Sequence, residues 1–146
     1  MKFISGSVTG KYFEDKIDKW IDDAKLAYRR DLTLDGTKRR KINKNSDREV
    51  FLGNKSIFIE LKTIDCKNVL TYALWNDGKK HNIKFVQICT CDWFIFEFRP
   101  HKPIAIEKSD FLNWAARQKK NSINYKDALS IGFEIEDMKW IKEVVE

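Results

Sequence analysis

The run Ile57-Phe58-Ile59-Glu60-Leu61-Lys62-Thr63 decides how this chain is read. Its β-branched and aromatic residues suit an interior strand, yet it carries a carboxylate and an ammonium group two residues apart. Residues i and i+2 of a strand share a face, so Glu60 and Lys62 project together. Upstream, Val50-Phe51-Leu52 and Gly53-Asn54 supply the first arm and the turn of a β-hairpin. Glycine at the first turn position suits a two-residue connection. Leu52 then pairs with Lys55, and counting outward along both arms pairs Glu60 with Asp47. Directly paired residues share a face with Cβ atoms about 5 Å apart. Two carboxylates and an ammonium group are thereby expected at one end of a sheet. A turn one residue later, at Asn54-Lys55, would pair Glu60 with Glu49 instead. Asp47 is the preferred first acid and Glu49 the alternative.

Two adjacent carboxylates repel each other unless positive charge lies between them. Lys62 supplies some, and a divalent cation supplies more. Hard oxygen ligands on a rigid strand pair suit Mg²⁺ or Mn²⁺. Such an ion can bind a phosphate oxygen, activate water and stabilise a leaving alkoxide. Lys62 is placed to orient the attacking water or to stabilise charge on the phosphorane. Residues 10–30 predict an amphipathic helix, with Phe13, Ile17, Trp20, Ile21, Ala24, Ala27 and Tyr28 at three- and four-residue spacing. At about 100° per residue, Glu14 lies roughly 80° from the centre of that stripe. A carboxylate on this rim is a candidate further ligand. A lone Glu-x-Lys is common on solvated surfaces. The paired aspartate, the apolar strand and a neighbouring basic segment set this one apart.

That basic segment holds Arg29, Arg30, Lys38, Arg39, Arg40, Lys41 and Lys44, and a second group is Arg117, Lys119 and Lys120. The net charge is +6 and the pI about 9.2. Clustered cations attract polyanions by releasing condensed counterions, which makes nucleic acid a candidate partner beside the plainer reading of a solvated surface loop. Lys38, Arg39, Arg40, Lys41, Lys119 and Lys120 are the candidate contacts. The 146 residues suggest a single domain over 1–146. A content of 42% hydrophobic and 13% aromatic residues excludes a disordered chain. No apolar run reaches the roughly 18 residues that span a bilayer, and residues 1–10 lack the pattern of a secretory signal. A soluble protein of the bacterial or phage-infected cytoplasm is expected. The odd number of cysteines, Cys66, Cys89 and Cys91, argues against a disulfide framework. With only His81 and His101 beside them, a zinc set is incomplete, and buried small hydrophobes are the favoured reading. Glycine-rich phosphate loops and serine or cysteine triad signatures are absent from the sequence.

The remaining elements follow from periodicity. Residues 31–46 are expected as a loop and 64–82 are ambiguous between helix and strand. Residues 83–91 and 93–98 read as strands about a turn at Asp92-Trp93, and Pro100 and Pro103 mark a loop. Ser109 or Asp110 can cap a helix through Gln118, with Phe111, Leu112, Trp114 and Ala115 buried. A short helix over 125–130 ends at Gly132, and 137–146 form a last one. Trp75 and Trp93 are expected in the core rather than stacked on bases, and His81 and His101 in solvated loops. Helix, hairpin, strands and helices in that order give an α/β or α+β layered domain.

The strand 57–63, with Asp47 upstream, resembles the PD-(D/E)xK nuclease motif. More narrowly, the chain resembles the RecU family of Holliday junction resolvases. Gly10-Lys11-Tyr12-Phe13-Glu14 is similar to that family's opening helix. Phe85-Val86-Gln87-Ile88 and Trp93-Phe94-Ile95-Phe96 resemble its next strand pair. Lys119-Lys120-Asn121-Ser122-Ile123 and Gly132-Phe133-Glu134-Ile135 resemble its C-terminal region. The resemblance implies a restriction-endonuclease-like core with a mixed central sheet flanked by helices. It also implies Mg²⁺-dependent phosphodiester hydrolysis and a homodimer cutting four-way junctions symmetrically. Carried over, the catalytic positions are Glu14, Asp47, Glu60 and Lys62, with Glu14, Asp47 and Glu60 as metal ligands. The sequence departs from the family at Asn68-Val69-Leu70-Thr71-Tyr72-Ala73-Leu74, which lacks the usual glutamine and histidine, and in a short Glu14–Asp47 segment without the family's N-terminal arm. Such trimming fits a phage-type relative. The alternatives are a non-catalytic DNA-binding module of the same fold and a sequence-specific nuclease of restriction type.

Overall fold

The computed structural model describes residues 6–30, 32–34, 38–40, 48–64, 69–71, 75–76, 79–80, 91–120 and 122–145. Its centre is the hairpin anticipated from Gly53-Asn54. Strands β4 (Arg48–Leu52) and β5 (Lys55–Ile64) pair antiparallel from Leu52↔Lys55 to Arg48↔Ile59. Gly53 takes φ +59°, the left-handed region that glycine enters without steric cost. Strand β5 then runs parallel to β9 (Trp93–Phe98), with Glu60 beside Phe94 and Lys62 beside Phe96. The mixed sheet is completed by β1 (Ala27–Arg30), β10 (Ile104–Glu107) and β12 (Phe133–Glu134), in the order β1-β4-β5-β9-β10-β12.

Alternation along the strands divides the core into two layers. Phe13, Ile17 and Ile21 of helix α1 (Gly6–Asp23) pack on Val50, Ile57, Ile59, Leu61 and Ile95. On the other face, Phe94, Phe96, Phe98, Ile104 and Ile106 meet Phe111, Trp114 and Ala115 of α2 (Lys108–Ala116) and Ala128 of α3 (Tyr125–Ile131). Every residue of β9 is buried, as befits a strand covered on both faces. Phe94 and Phe96 set their rings 5.4 and 5.9 Å from Phe111. Helix α4 (Trp140–Val145) joins the α1 layer through Ile141, and Lys142 Nζ donates to the Ala24 carbonyl, 2.9 Å, just past the end of α1. The α+β class read from the sequence is the architecture observed, with helices on both faces of a mixed sheet.

Several local expectations are corrected. The first helix stops at Asp23, and the chain turns through Lys25 at φ +62° into β1. Leu26 and Tyr28 face inward while Ala27 is exposed, so the helical period gives way to a strand period that a short window cannot separate. Part of the expected 31–46 loop is a ribbon, with β2 (Leu32–Leu34) antiparallel to β3 (Lys38–Arg40). Within the ambiguous 64–82 stretch, the described residues form β6 (Val69–Thr71), β7 (Trp75–Asn76) and β8 (Lys79–Lys80). Strand β6 pairs with β11 (Ser122–Asn124). The expected strand at 83–91 lies outside the described residues except for Cys91. Helix α2 starts two residues before the point a Ser109 cap would give; its N-cap, Glu107, makes no side-chain cap bond, and Ser109 Oγ donates to the Glu107 carboxylate. Helix α3 meets expectation and is closed by a capping box: Asn124 accepts from Asp127 N at 2.9 Å, and Asp127 accepts from Asn124 N at 3.2 Å.

Gly132 follows α3 where the chain crosses β10. A Cβ there would lie 2.3 Å from the Ala105 carbonyl oxygen and 2.7 Å from Ile106 Cγ1. Backbone of an interior strand cannot yield as a side-chain tip can. Gly132→Ala is expected to destabilise the fold by about 3 kcal/mol, the upper part of the overpacking range. A urea melt matching the wild type within experimental error would contradict this.

Candidate functional site

Glu60 stands mid-strand in β5, only 7% exposed, and Lys62 follows on the same face, exposed. Their neighbours Ile59 and Leu61 enter the α1 layer, so the two charged groups project from the other face of the strand. The hairpin register is the preferred one and excludes the one-residue shift. Glu49 stands opposite Phe58, not Glu60, and its carboxylate accepts from Arg29 Nε. The alternative first acid is therefore committed to an ion pair across the β1–β4 ladder. Asp47 lies outside the described residues, immediately before the last pair of the ladder, Arg48↔Ile59.

Glu14 sits on the rim of α1 as its helical position required, with its side chain one-fifth exposed. It forms an ion pair with Arg48 Nη2 at 3.2 Å. Arg48 is completely buried and is held further by Asp18, whose carboxylate accepts from Nε at 2.6 Å and from Nη2 at 3.1 Å. Arg30 Nη1 reaches the same Asp18 at 3.1 Å. Nearby, burial first, and then the negative charges of Asp18 and Asp22, push the Tyr28 phenol above its usual range. Sequence reasoning missed Asp18 and Arg48. One signal was present: Asp18 follows Glu14 by one helical turn and shares its face. A second unforeseen group is Glu97, 3% exposed, which accepts from Lys16 Nζ at 2.6 Å and Thr63 Oγ1 at 3.3 Å and lies 3.4 Å from Arg99 Nε. Trp93 opens β9, and the strand expected before the Asp92-Trp93 turn lies outside the described residues except for Cys91. The Asp92 carboxylate accepts from Phe58 N at 2.8 Å, and the Asp92 N–H donates to Phe58 O at 2.7 Å, starting the β5–β9 parallel pairing.

No protein-family model matches this sequence, and a search of curated proteins finds no relative. Among solved structures, the 1.6 Å structure of Archaeoglobus fulgidus Hjc, a Holliday junction resolvase from an archaeal hyperthermophile, superposes with a TM-score of 0.53. The match covers 86% of this chain and 95% of that one at 16% identity. This chain shares the fold of that structure. The restriction-endonuclease-like core expected from the sequence is thereby observed as a fold, and the archaeal Hjc is one of its structural neighbours.

On this resolvase-like fold, the candidate basic residues divide into two places. Lys38, Arg39 and Arg40 are the three residues of β3 in the β2–β3 ribbon, and Lys41 lies outside the described residues. Lys119 and Lys120 are exposed beyond α2, and Lys120 Nζ is 3.4 Å from Asp127. Trp93 is in the core as expected, its ring 5.0 Å from Trp140 and 6.0 Å from Phe133. His101 is exposed and stacks on Tyr125 at 3.8 Å, whereas His81 lies outside the described residues. Cys91 is buried, and Cys66 and Cys89 fall outside the described residues. Among the described residues no three His, Cys, Asp or Glu side chains gather as a metal-binding group. The donors suiting a hard cation are the Glu60 and Glu14 carboxylates. No helix among the described residues is long and apolar enough to cross a membrane.

Proposed function

We propose that this protein is a divalent-metal-dependent DNA endonuclease that resolves four-way junctions as a homodimer. The observation that carries the reading is the placement of Glu60 and Lys62 on one face of β5, with a hairpin register leading straight to Asp47. The fold shared with a resolvase supports the substrate class. Asp47, Glu60 and Glu14 would hold Mg²⁺ or Mn²⁺, since oxygen-only donors match those ions. Bound there, the ion supplies Lewis-acid activation of the phosphate and of a water molecule. The partly buried Glu60 offers a preformed ligand whose rotamer is restricted by its strand. Lys62, exposed beside it, orients the nucleophilic water and neutralises charge on the phosphorane. The cations of β3 and of the segment after α2 would contact phosphates and make binding strongly salt-dependent. A junction presents equivalent strands to be cut in a pair, which a two-fold dimer does symmetrically. This reading places the protein in the cytoplasm, where its DNA substrate lies.

The test compares labelled four-way junction, matched linear duplex and single strand, each with Mg²⁺ and with chelator. Paired, metal-dependent nicks on the junction and little cleavage of duplex are expected. Equal cleavage of duplex would keep the nuclease and remove the resolvase. Salt-sensitive binding without cleavage in Mg²⁺ or Mn²⁺ would make the protein a non-catalytic module.

A further inference from the structure

Two consecutive arginines of β1 turn to opposite faces of the sheet. Arg30 pairs with Arg48 on the α1 side, and its Nη1 is taken by Asp18 at 3.1 Å. Arg29 turns to the other side, where its Nε donates to the carboxylate of Glu49, directly opposite on β4. That side also carries Glu60 and Lys62. Glu49 pairs with Phe58, and Phe58, Glu60 and Lys62 project together at every second position of β5. Glu49 is therefore a diagonal neighbour of Glu60, and such neighbours lie about 7–8 Å apart. The register alone sets Arg29 two strands and one row of side chains from Glu60.

The two members of this ion pair are unequally exposed. The Glu49 side chain keeps 8% of its surface and that of Arg29 59%. The acceptor is fixed within the sheet, and the donor is the group the face presents outward. Without Arg29, the Glu49 carboxylate would repel a polyanion from this face. A guanidinium carries five N–H donors, and Nε is the one given to Glu49. The donors on Nη1 and Nη2 form the outer edge of the fork, which matches a pair of phosphate oxygens.

We propose that Arg29, oriented by Glu49, contacts a DNA phosphate on the face that carries Glu60 and Lys62. The inference rests on the reading of that face as the site of DNA cleavage. Phosphate contacts set the register of a protein on its DNA without reading sequence. A contact built into the same sheet as Glu60 fixes that register relative to the reacting strand.

The test is binding of labelled four-way junction in chelator, which reads binding apart from cleavage, over a range of salt concentrations. Each phosphate neutralised contributes about 0.9 to the slope of log affinity against log salt. Arg29→Gln is expected to lower the slope by about that amount per protomer and to weaken binding by about tenfold. Arg29→Lys keeps the charge and should keep the slope. Lys19, on α1 across the sheet and with its side chain 74% exposed, is the control, and Lys19→Gln should change neither quantity. An unchanged slope in Arg29→Gln, or an equal fall in Lys19→Gln, would overturn the contact while leaving the nuclease reading intact. Wild type that does not bind the junction would overturn both. The expected slopes without cleavage in Mg²⁺ would support the contact and remove the nuclease. Should Arg29→Gln lose its near-UV dichroism by stranding Glu49, the charge-neutral double variant Arg29→Gln/Glu49→Gln is titrated instead, with the same fall in slope expected.

Discussion

Lys62→Ala is expected to lower the rate of junction cleavage by about a hundred- to a thousandfold, as removal of one transition-state charge donor does. The same variant should keep its stability within about 0.5 kcal/mol, since Lys62 is an exposed side chain. The separation of the two effects is what makes the variant informative. Its neighbours Ile59, Leu61 and Ile64 hold β5 in the sheet, and truncating an exposed ammonium stem removes little packing. Binding to junction DNA should fall only modestly, because the cations of β3 and those after α2 remain. Single-turnover cleavage with excess enzyme reads the chemical step, and a chemical-denaturation curve reads stability. Cleavage within threefold of wild type would remove Lys62 from the chemistry. An unfolded variant would instead mean that Lys62 holds the strand together.

The second large effect concerns stability. Arg48→Ala is expected to destabilise the protein by about 3–5 kcal/mol, because removing one partner leaves the others as uncompensated charge in a dry layer. Asp18 and Glu14 would both lose a fully buried cationic partner, while Arg30 stays on Asp18. For a chain of this size the melting temperature should fall by roughly 10 °C or more. Lys11→Ala provides the contrast. Its ion pair with Asp15, 3.1 Å long, joins side chains that are 73% and 50% exposed, so its loss should cost under about 1 kcal/mol. Calorimetry of the two variants side by side checks both values. Equal melting temperatures would mean that the Arg48 cluster is hydrated in solution and contributes no more than a surface pair.

The hairpin was legible because everything that specifies it is local. Gly53 supplies the positive φ, Val50 and Ile57 take inward positions across the ladder, and a one-residue slip would turn both outward. The same local rule set Glu49 opposite Phe58 rather than Glu60. The end of α1 was not legible, because Ala24, Ala27 and Tyr28 continue a helical stripe that Leu26 and Tyr28 also satisfy as a strand. Pairing of Tyr28 with Val50 decides between them, and that partner is remote in sequence. Arg48 was not singled out at all. Nothing local signals that a charged side chain in a strand will be fully buried. Glu97 escaped notice for the same reason, since Lys16 lies in α1 and Glu97 in β9.

By itself, then, the amino-acid sequence determined the strand period, the turn, the shared face of Glu60 and Lys62 and the rim position of Glu14, all set by backbone geometry over a few residues. Only the tertiary structure decided that β5 runs parallel to β9, that Glu49 is taken by Arg29, and that Arg48 links Glu14 to Asp18 beneath α1. Those outcomes depend on which apolar faces meet, and a buried charge can be placed only once its counter-charges arrive from elsewhere in the chain.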